Sequence, residues 1–266
     1  MKRIYFLLFL FISYQVHAIS FCAWNIANFG QSKSETEIQI MVQTIKNFDI
    51  VGIEEVVAGP GGSQAVGRLV DALNRSGAKW DYRISNPTSQ TIGSHKQEKY
   101  AFLWKTAKVK MIGRPQLEPQ YQSLIEREPY MGVFQAGNKT FRVFLFHAIT
   151  KSQQPETEIK YFKFFPELYP DYPILFAADF NCPESHSVFN PLKKQGYIPA
   201  LTNQKTSLKM TCINGNCLAS EFDNILYKPT EFKVIKKGII PFYENTPSFD
   251  IARNVSDHVP VFIEFE

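Results

Sequence analysis

Short apolar runs and amphipathic stretches alternate along the chain. Seven of the runs have the length and the content of β-branched or aromatic residues that are typical of strands. These runs are 19–24, 50–53, 100–104, 141–146, 174–177, 224–227 and 259–265. Two stretches, 35–47 and 66–74, instead place apolar residues at helical spacing, so that each predicted helix has one buried face. Strands outnumber helices and their order is mixed, which predicts packed sheets with helices on the outside.

A glycine-rich stretch, Gly-Pro-Gly-Gly at 59–62, separates the second predicted strand from the second predicted helix. It lacks the Lys and Ser/Thr of a phosphate-binding P-loop. We therefore interpret it as a flexible loop. Because it closely follows the strand end at Glu55, we expect it near the functional site and within reach of a substrate.

The N-terminus carries the pattern of a secretory signal. Residues 1–3 (Met-Lys-Arg) are positively charged overall, 4–16 are mostly apolar, and 16–18 (Val-His-Ala) resemble a signal-peptidase site. We predict a signal peptide at 1–18 and a secreted or periplasmic location. A membrane anchor is the alternative, but the run is short for crossing a bilayer. Without repeats, low-complexity tracts or linkers, 19–266 is predicted to form one domain with no membrane contact.

The net charge argues against a strongly basic nucleic-acid binder. The formal charge is +4, and loss of Lys2 and Arg3 with the signal peptide would leave +2. Such a chain has no broad positive field that would hold nucleic acid without specificity. A nucleic-acid substrate is therefore expected to be held by specific phosphate contacts.

The chain contains four cysteines, Cys22, Cys182, Cys212 and Cys217. An even number in an exported protein favours disulfides, and four cysteines allow three pairings. Cys212 and Cys217 bracket a turn-forming Ile-Asn-Gly-Asn stretch, so this pair is the first choice. Metal ligation is the alternative, although zinc sites usually have closer spacing.

Nearly every predicted core strand ends in a short cluster of polar residues. The seven clusters are Trp24-Asn25, Gly52-Ile53-Glu54-Glu55, Glu98-Lys99-Tyr100, Phe146-His147, Ala178-Asp179-Phe180-Asn181, Phe222-Asp223-Asn224 and Ser256-Asp257-His258. One such residue is usually a cap or a turn former. So many carboxylates and imidazoles at one sheet edge are costly to bury unless they pair or bind a cation. The pattern therefore indicates a functional site.

The ordered motifs resemble those of the endonuclease/exonuclease/phosphatase superfamily, and of DNase I in particular, over residues 21–265. They are Trp-Asn-Ile at 24–26, Ile-Glu-Glu-Val at 53–56, Ala-Asp-Phe-Asn at 178–181 and Ser-Asp-His-Val-Pro-Val at 256–261. The segments Glu98-Lys99-Tyr100 and Arg127-Glu128-Pro129 look like those that approach the scissile phosphate, and His147 favours the DNase I branch. The resemblance implies a four-layer α/β sandwich of two packed mixed sheets flanked by helices.

The resemblance also implies roles for individual residues. Mg²⁺ prefers oxygen ligands and needs few protein carboxylates, with Mn²⁺ or Ca²⁺ as alternatives. Imidazoles paired with carboxylates move protons near neutral pH. The expected metal ligands are Asn25, Glu55 and Asp257. The expected catalytic residues are Glu98, His147, Asp179, Asp223 and His258. The expected substrate contacts are Tyr100, Arg127 and Asn181, whereas His95 and His186 are interpreted as surface residues.

These features predict a secreted, metal-dependent endonuclease that acts as a monomer on DNA, with RNA as the alternative substrate. Three other hypotheses stay open: a sphingomyelinase-like lipid phosphodiesterase, a toxin nuclease subunit that needs delivery partners, and a non-catalytic secreted binding protein. A hydrophobic hairpin would favour the lipid enzyme, and none stands out in the sequence. A binding protein would be expected to lose catalytic residues, whereas every matched position is chemically competent.

Overall fold

The computed structural model describes residues 18–89 and 97–266. The predicted signal peptide, apart from Ala18, and His95 lie outside the described residues. Within the described ranges, no helix is long and apolar enough to cross a membrane.

Fourteen strands and six α-helices make up the regular structure of the described ranges. The strands are β1 (Ile19–Phe29), β2 (Ile50–Val57), β3 (Trp80–Ile84), β4 (Glu98–Lys105), β5 (Val109–Leu117), β6 (Tyr130–Ala136), β7 (Lys139–His147), β8 (Ile174–Asp179), β9 (Ile198–Pro199), β10 (Leu208–Ile213), β11 (Asn216–Leu218), β12 (Asp223–Tyr227), β13 (Val234–Ile239) and β14 (Val261–Phe265). The helices are α1 (Glu35–Ile45), α2 (Pro60–Asn74), α3 (Glu156–Ile159), α4 (Phe165–Leu168), α5 (Asn190–Lys194) and α6 (Phe249–Val255). Short 3₁₀ turns lie at Lys151–Gln153, Phe162–Phe164, Ser187–Phe189 and Phe242–Asn245.

Two six-stranded mixed sheets form the centre of the molecule. The first has the order β13-β14-β1-β2-β4-β3, and the second has the order β5-β6-β7-β8-β12-β9. The strands β10 and β11 form a separate hairpin. Three apolar clusters separate four layers: one joins α1, α2 and α6 to the first sheet, one joins the two sheets, and one joins the second sheet to the short helices. This is the predicted DNase I-like α/β sandwich, and the fold class is confirmed.

The prediction that residues 59–62 form a flexible loop is wrong. Gly59 is the N-cap of α2, and Pro60 occupies the first turn of that helix. Proline suits this position because its fixed φ is already helical and its missing N–H would have no partner there. A Cβ at Gly62 would lie 2.0 Å from the carbonyl oxygen of Val57. The glycine-rich sequence therefore allows the helix to begin tightly against the end of β2.

The sheet registers bring the polar strand ends to one edge. The parallel pairs β1–β2 and β7–β8 end together, and the antiparallel strands β4 and β12 begin beside them. Asp179 is opposite both His147 and Asp223 in the second sheet. In the first sheet, Asn25 is opposite Glu54. Side chains from both sheets thus meet at this edge.

Candidate active site

Two histidine–carboxylate pairs form the centre of the site. The Nδ1 atom of His147 lies 2.8 Å from Oε2 of Glu98, and Nδ1 of His258 lies 2.7 Å from Oδ2 of Asp223. The Nε2 atoms of His147 and His258 lie 3.6 and 3.5 Å from the same oxygen, Oδ2 of Asp179. Both imidazoles therefore point toward the buried carboxylate of Asp179. A second carboxylate, Glu98 for His147 and Asp223 for His258, orients each ring through Nδ1.

The charges around the histidines favour protonated rings. Burial and Arg127 lower the pKa of His147, but Glu98 and Asp179 outweigh them, so this pKa is raised. Burial also lowers the pKa of His258, yet Asp223 and Asp179 raise it well above its ordinary value. Burial raises the pKa of Asp179, but the two histidines lower it overall. The site thus places two histidine rings that favour the protonated form next to the ionised carboxylate of Asp179.

Arg127 holds the first of these pairs, His147 and Glu98, in place. Its Nη1 donates to Oε1 of Glu98 at 2.9 Å, and its Nε donates to the carbonyl of His147 at 3.0 Å. Its Nη2 donates to the carbonyl of Ala148. Burial raises the pKa of Glu98, but His147 and Arg127 outweigh it and lower this pKa to about 2. Arg127 is 8% exposed, so its described contacts position Glu98 and His147, and phosphate binding by Arg127 stays a prediction.

Tyr100 and Asn181 lie close to the same pair. The hydroxyl of Tyr100 accepts from the backbone N–H of His147 and donates to the carbonyl of Arg127, and the Tyr100 side chain is fully buried. Asn181 donates from its backbone to Oδ1 of Asp179 at 2.9 Å and from its side chain to the carbonyl of Ala148 at 3.1 Å. Their substrate contacts stay predictions, while the structure shows how both residues order the site.

The expected metal ligands Asn25 and Glu55 lie side by side. Nδ2 of Asn25 donates to Oε1 of Glu55 and to Oδ2 of Asp179, each at 3.0 Å. Oε2 of Glu55 accepts from the backbone N–H of Asn28 at 2.9 Å. Glu55 has a φ of +59°, where β2 changes register against β4. The irregular strand end thus turns this carboxylate toward Asn25.

One oxygen in this region lacks a partner. Oδ1 of Asn25 is buried and has no hydrogen bond within the described part of the chain. A buried carbonyl oxygen without a partner is costly, and a cation would satisfy it. Asp257 lies near enough to His258 to raise its pKa. The neighbouring oxygens of Asn25 and Glu55 therefore fit a hard divalent cation, and the place of Asp257 in this ligand set stays a prediction.

A second group also has the spacing of metal ligands. Single ligand atoms of Asp179, Asp223 and His258 lie within 4.8 Å of one another in the described structure. In this group, however, Nδ1 of His258 already has Asp223 as its partner. A role of this group in proton transfer stays a prediction.

Sequence reasoning gave no role to four residues that hold the site together. Oε2 of Glu54 accepts from the backbone N–H of Asp179 at 3.0 Å, and burial together with Asp179 and Asp223 raises the pKa of Glu54 well above its ordinary value. The hydroxyl of Thr206 donates to Oδ2 of Asp223 at 2.6 Å. Glu54 adjoins an expected ligand and could have been suspected, whereas nothing in the sequence points to Thr206.

The other two residues anchor the C-terminal motif. The hydroxyl of Ser256 donates to the carbonyl of Asn25 at 2.6 Å and accepts from the backbone N–H of His258 at 3.0 Å. Nζ of Lys33 donates to the carbonyls of Asn254 and Val255 at 2.6 and 2.9 Å. Ser256 was available as the first residue of the Ser-Asp-His motif, and Lys33 carries no sequence signal.

The remaining cysteines and histidine lie outside this cluster. Cys212 and Cys217 form the disulfide that was the first choice from the sequence. Cys22 and Cys182 are free and buried in different apolar clusters, so the even count did not produce a second bridge. His186 is partly buried, and its Nδ1 accepts from the backbone N–H of Val188 at 3.2 Å.

The fold and the site define a class of protein. The chain matches the endonuclease/exonuclease/phosphatase family over residues 22–258, and it belongs to that family as a DNase I-like member. It is accordingly a hydrolase of the phosphodiesterase and nuclease type.

The chain is also similar to individual nucleases and to solved structures. The chain is 27% identical to a deoxyribonuclease of Thioalkalivibrio sp. (strain K90mix), over 92% of this chain and 70% of that protein. It is 28% identical to human deoxyribonuclease gamma, over 96% of this chain and 88% of that protein. Among solved structures, the human Nocturnin catalytic domain with bound sulfate matches with a TM-score of 0.67 and 15% identity, covering 94% of this chain and 93% of that chain. D. rerio TDP2 complexed with a single-strand DNA product matches with a TM-score of 0.64 and 14% identity, covering 94% and 99%.

Proposed function

We propose that this protein is a divalent-metal-dependent endonuclease that hydrolyses phosphodiester bonds in DNA. The observation that carries the proposal is the convergence of His147 and His258 on Asp179, next to the oxygen ligands Asn25 and Glu55. Phosphodiester hydrolysis needs a base for water, an acid for the leaving oxygen and positive charge on the phosphoryl group. The deoxyribonuclease relatives support DNA as the substrate.

The two histidines divide the proton transfers. One imidazole, acting in its neutral form, takes a proton from the attacking water, and the other, acting in its protonated form, donates a proton to the departing oxygen. Glu98 and Asp223 each hold one ring in a fixed tautomer through Nδ1, which leaves Nε2 free for this exchange. Asp179 lies between the two Nε2 atoms and orients the water. Asn181 and Arg127 add donors beside the phosphate.

Asn25, Glu55 and Asp257 would hold the cation, with Mg²⁺ as the first choice and Mn²⁺ or Ca²⁺ as alternatives. The buried, unpartnered oxygen of Asn25 supports this assignment among the described residues. A bound cation supplies positive charge that offsets the charge growing on the phosphoryl oxygens. The backbone N–H of Asn28 and the side chain of Asn25 hold the Glu55 carboxylate in place for it.

We further propose that the enzyme is exported to a secreted or periplasmic location, is cleaved after residue 18, and acts as a monomer. The signal-like pattern of the N-terminus supports export. The disulfide between Cys212 and Cys217 is consistent with an oxidising compartment. N-terminal sequencing of the exported protein checks the cleavage site, and gel filtration checks the oligomeric state.

The test is cleavage of closed-circular plasmid by the mature protein, with Mg²⁺ and with EDTA. We expect nicking that requires the metal and falls by about 100-fold or more in His258→Ala, since one proton-transfer group is lost. His186→Ala is the matched control, because this histidine lies outside the site, and it should keep full activity.

Parallel assays with RNA and with sphingomyelin separate the alternatives. Turnover of sphingomyelin without plasmid nicking would identify a lipid phosphodiesterase, and preferential cleavage of RNA would change the substrate class. If no substrate is turned over with any of the cations, the non-catalytic binding protein becomes the better hypothesis.

A further inference from the structure

The hairpin formed by β10 and β11 begins directly at the catalytic cluster. It pairs with neither six-stranded sheet. Thr206 donates to the carboxylate of Asp223, and the backbone N–H of Leu208 donates to the carbonyl of Asp257 at 2.6 Å. Ser207 forms an isolated β-bridge with His258. The base of this hairpin is therefore fixed to the residues that carry out the proposed chemistry.

The outer part of the hairpin exposes apolar side chains. Met210 is 78% exposed and Ile213 is 65% exposed, the highest values among the large apolar residues in the described ranges. Two such side chains on one short element do not contribute to a core. Two large apolar side chains this exposed on one six-residue strand favour a contact with another molecule. The hairpin thus has the character of a contact element.

The composition of the hairpin indicates what it contacts. Residues 202–220 include Lys205 and Lys209 but no Asp or Glu, so this segment complements a polyanion. The same residues include no Trp, Tyr or Phe, which are the side chains that anchor proteins at membrane interfaces. Positive charge without aromatic anchors favours nucleic acid over a lipid surface.

The hairpin is also held rigidly. An isolated two-stranded hairpin is only marginally stable in water. Here the disulfide between Cys212 and Cys217 closes the outer end, and Nη1 of Arg253 donates to the carbonyls of Leu208 and Lys209 at 3.2 and 2.8 Å. The exposed side chains therefore keep a defined position relative to the catalytic residues.

The length of the hairpin suits a substrate that extends beyond the cleaved bond. The strand Leu208–Ile213 has six residues. At about 3.3 Å per residue its far end lies roughly 15–20 Å from its base. That distance corresponds to about five base pairs of duplex, at about 3.4 Å each. A short diester bound at the catalytic cluster would not reach the tip, whereas a long duplex would.

We propose that the hairpin formed by β10 and β11, together with the segment 205–207 that leads into it, is a second binding element for duplex DNA. Lys205 and Lys209 contact phosphates on the far side of the cleaved bond, while Met210 and Ile213 pack against sugars and base edges in a groove. Apolar side chains are used in this way by proteins that bind DNA grooves. The inference rests on the proposed function, because it requires DNA to occupy the catalytic cluster.

The test compares a long and a short substrate for the double variant Met210→Ser/Ile213→Ser. We expect the rate on plasmid to fall about 10-fold, while the rate on bis(p-nitrophenyl) phosphate stays within about twofold, because the short diester does not reach the tip. The matched control is Leu168→Ser/Ile235→Ser, which changes two apolar residues that are 44% and 50% exposed on other elements. The control should leave both rates unchanged.

A binding measurement tests the charged part of the surface. In a His258→Ala background, Lys209→Ala should lower the slope of log Kd against log salt concentration for a 20-base-pair duplex by about 1, as expected for one lost phosphate contact. An unchanged slope would contradict the assignment of Lys209.

Three other results would overturn the proposal. Equal plasmid rates for the wild type and the double variant, or equal losses on both substrates, would show that the hairpin does not act through a long duplex. Loss of binding to phosphatidylserine vesicles with plasmid cleavage intact would make the hairpin a membrane element. A wild type that cleaves the short diester but no DNA would overturn the proposed function itself, and this inference with it.

Discussion

Asp179 lies at the centre of the contacts within the site. Its carboxylate is buried, accepts hydrogen bonds from Asn25 and Asn181, and lies within 3.6 Å of the rings of both His147 and His258. No other side chain in the described cluster contacts both histidine rings in this way. A single carboxylate therefore sets the distance between the two histidines.

The proposed mechanism gives His147 and His258 different roles, one as base and the other as acid. A diester with a p-nitrophenolate leaving group needs little protonation as it departs. For one histidine, replacement by Ala should therefore be far less harmful on bis(p-nitrophenyl) phosphate than on DNA, and that residue is the acid. For the other, the loss should be large on both substrates. Steady-state rates for the two variants on the two substrates check this, and identical profiles would contradict the division of roles.

The ion pair of Glu98 predicts a specific acid sensitivity. Its pKa is lowered to about 2 in the folded protein, from about 4.3 in an unfolded chain. The stability that this shift contributes is complete above the unfolded value and is lost as pH falls from about 4.5 toward 2. In Glu98→Gln, the urea midpoint should therefore change less over this pH range than it does in the wild type. The exposed Glu167→Gln control should follow the wild type, and a steep acid dependence in Glu98→Gln would contradict the expectation.

Among the elements, the helix α2 contains two glycines, Gly62 and Gly67, that have different amounts of space around them. Gly62 is pressed against β2, because an added Cβ would lie 2.0 Å from the carbonyl oxygen of Val57. Gly67 has open space, with Tyr82 OH at 3.9 Å as the nearest atom to such a Cβ. The first position is fixed by packing, while the second only weakens the helix.

This contrast predicts opposite effects of the same substitution. Gly67→Ala should raise the free energy of unfolding by about 0.5–1 kcal/mol, since alanine restricts the unfolded chain and favours the helix. Gly62→Ala should lower it by about 1–3 kcal/mol, because β2 and α2 must separate. Urea denaturation of both variants checks the signs, and stabilisation by Gly62→Ala would show that the contact relaxes without cost.

The same scale shows what the sequence could and could not provide. All seven predicted strands and both predicted helices occur, because their apolar residues lie in the buried layers. Among the strands that were not predicted, β5 and β13 are edge strands with mixed exposure, so their patterns do not alternate cleanly, whereas β6 lies inside the second sheet and is mostly buried. The strand-end residues lie together as expected, but Thr206 and Lys33 act through long-range contacts that no local pattern encodes.

At the scale of the whole molecule, the site joins the two sheets. Asn25 on the first sheet donates to the carboxylate of Asp179 on the second sheet, and Glu54 on the first sheet accepts from the backbone N–H of Asp179. Ser256, near the C-terminus, donates to the carbonyl of Asn25, near the N-terminus of the described chain. A cation held by Asn25, Glu55 and Asp257 would therefore link distant segments of the folded chain.

This arrangement predicts that Mg²⁺ stabilises the fold. At a concentration 100 times its Kd, a ligand that binds only the folded state adds about 2.7 kcal/mol, which corresponds to roughly 5–10 °C in Tm for a domain of this size. Glu55→Gln should abolish most of this shift, and the exposed Asp71→Asn control should keep it. Thermal scans with Mg²⁺ and with EDTA measure the effect. An equal Mg²⁺ shift in Glu55→Gln would remove this residue from the ligand set.

The backbone of Glu55 also affects how this enzyme can change. Its φ of +59° lies in the left-handed region, which is unfavourable for a side chain with a Cβ and readily adopted by glycine. Replacement by glycine would relieve that strain and remove the carboxylate at the same time. Under the proposed function, the substitution that relieves the backbone strain at this position also removes a metal ligand, so stability and activity oppose each other there.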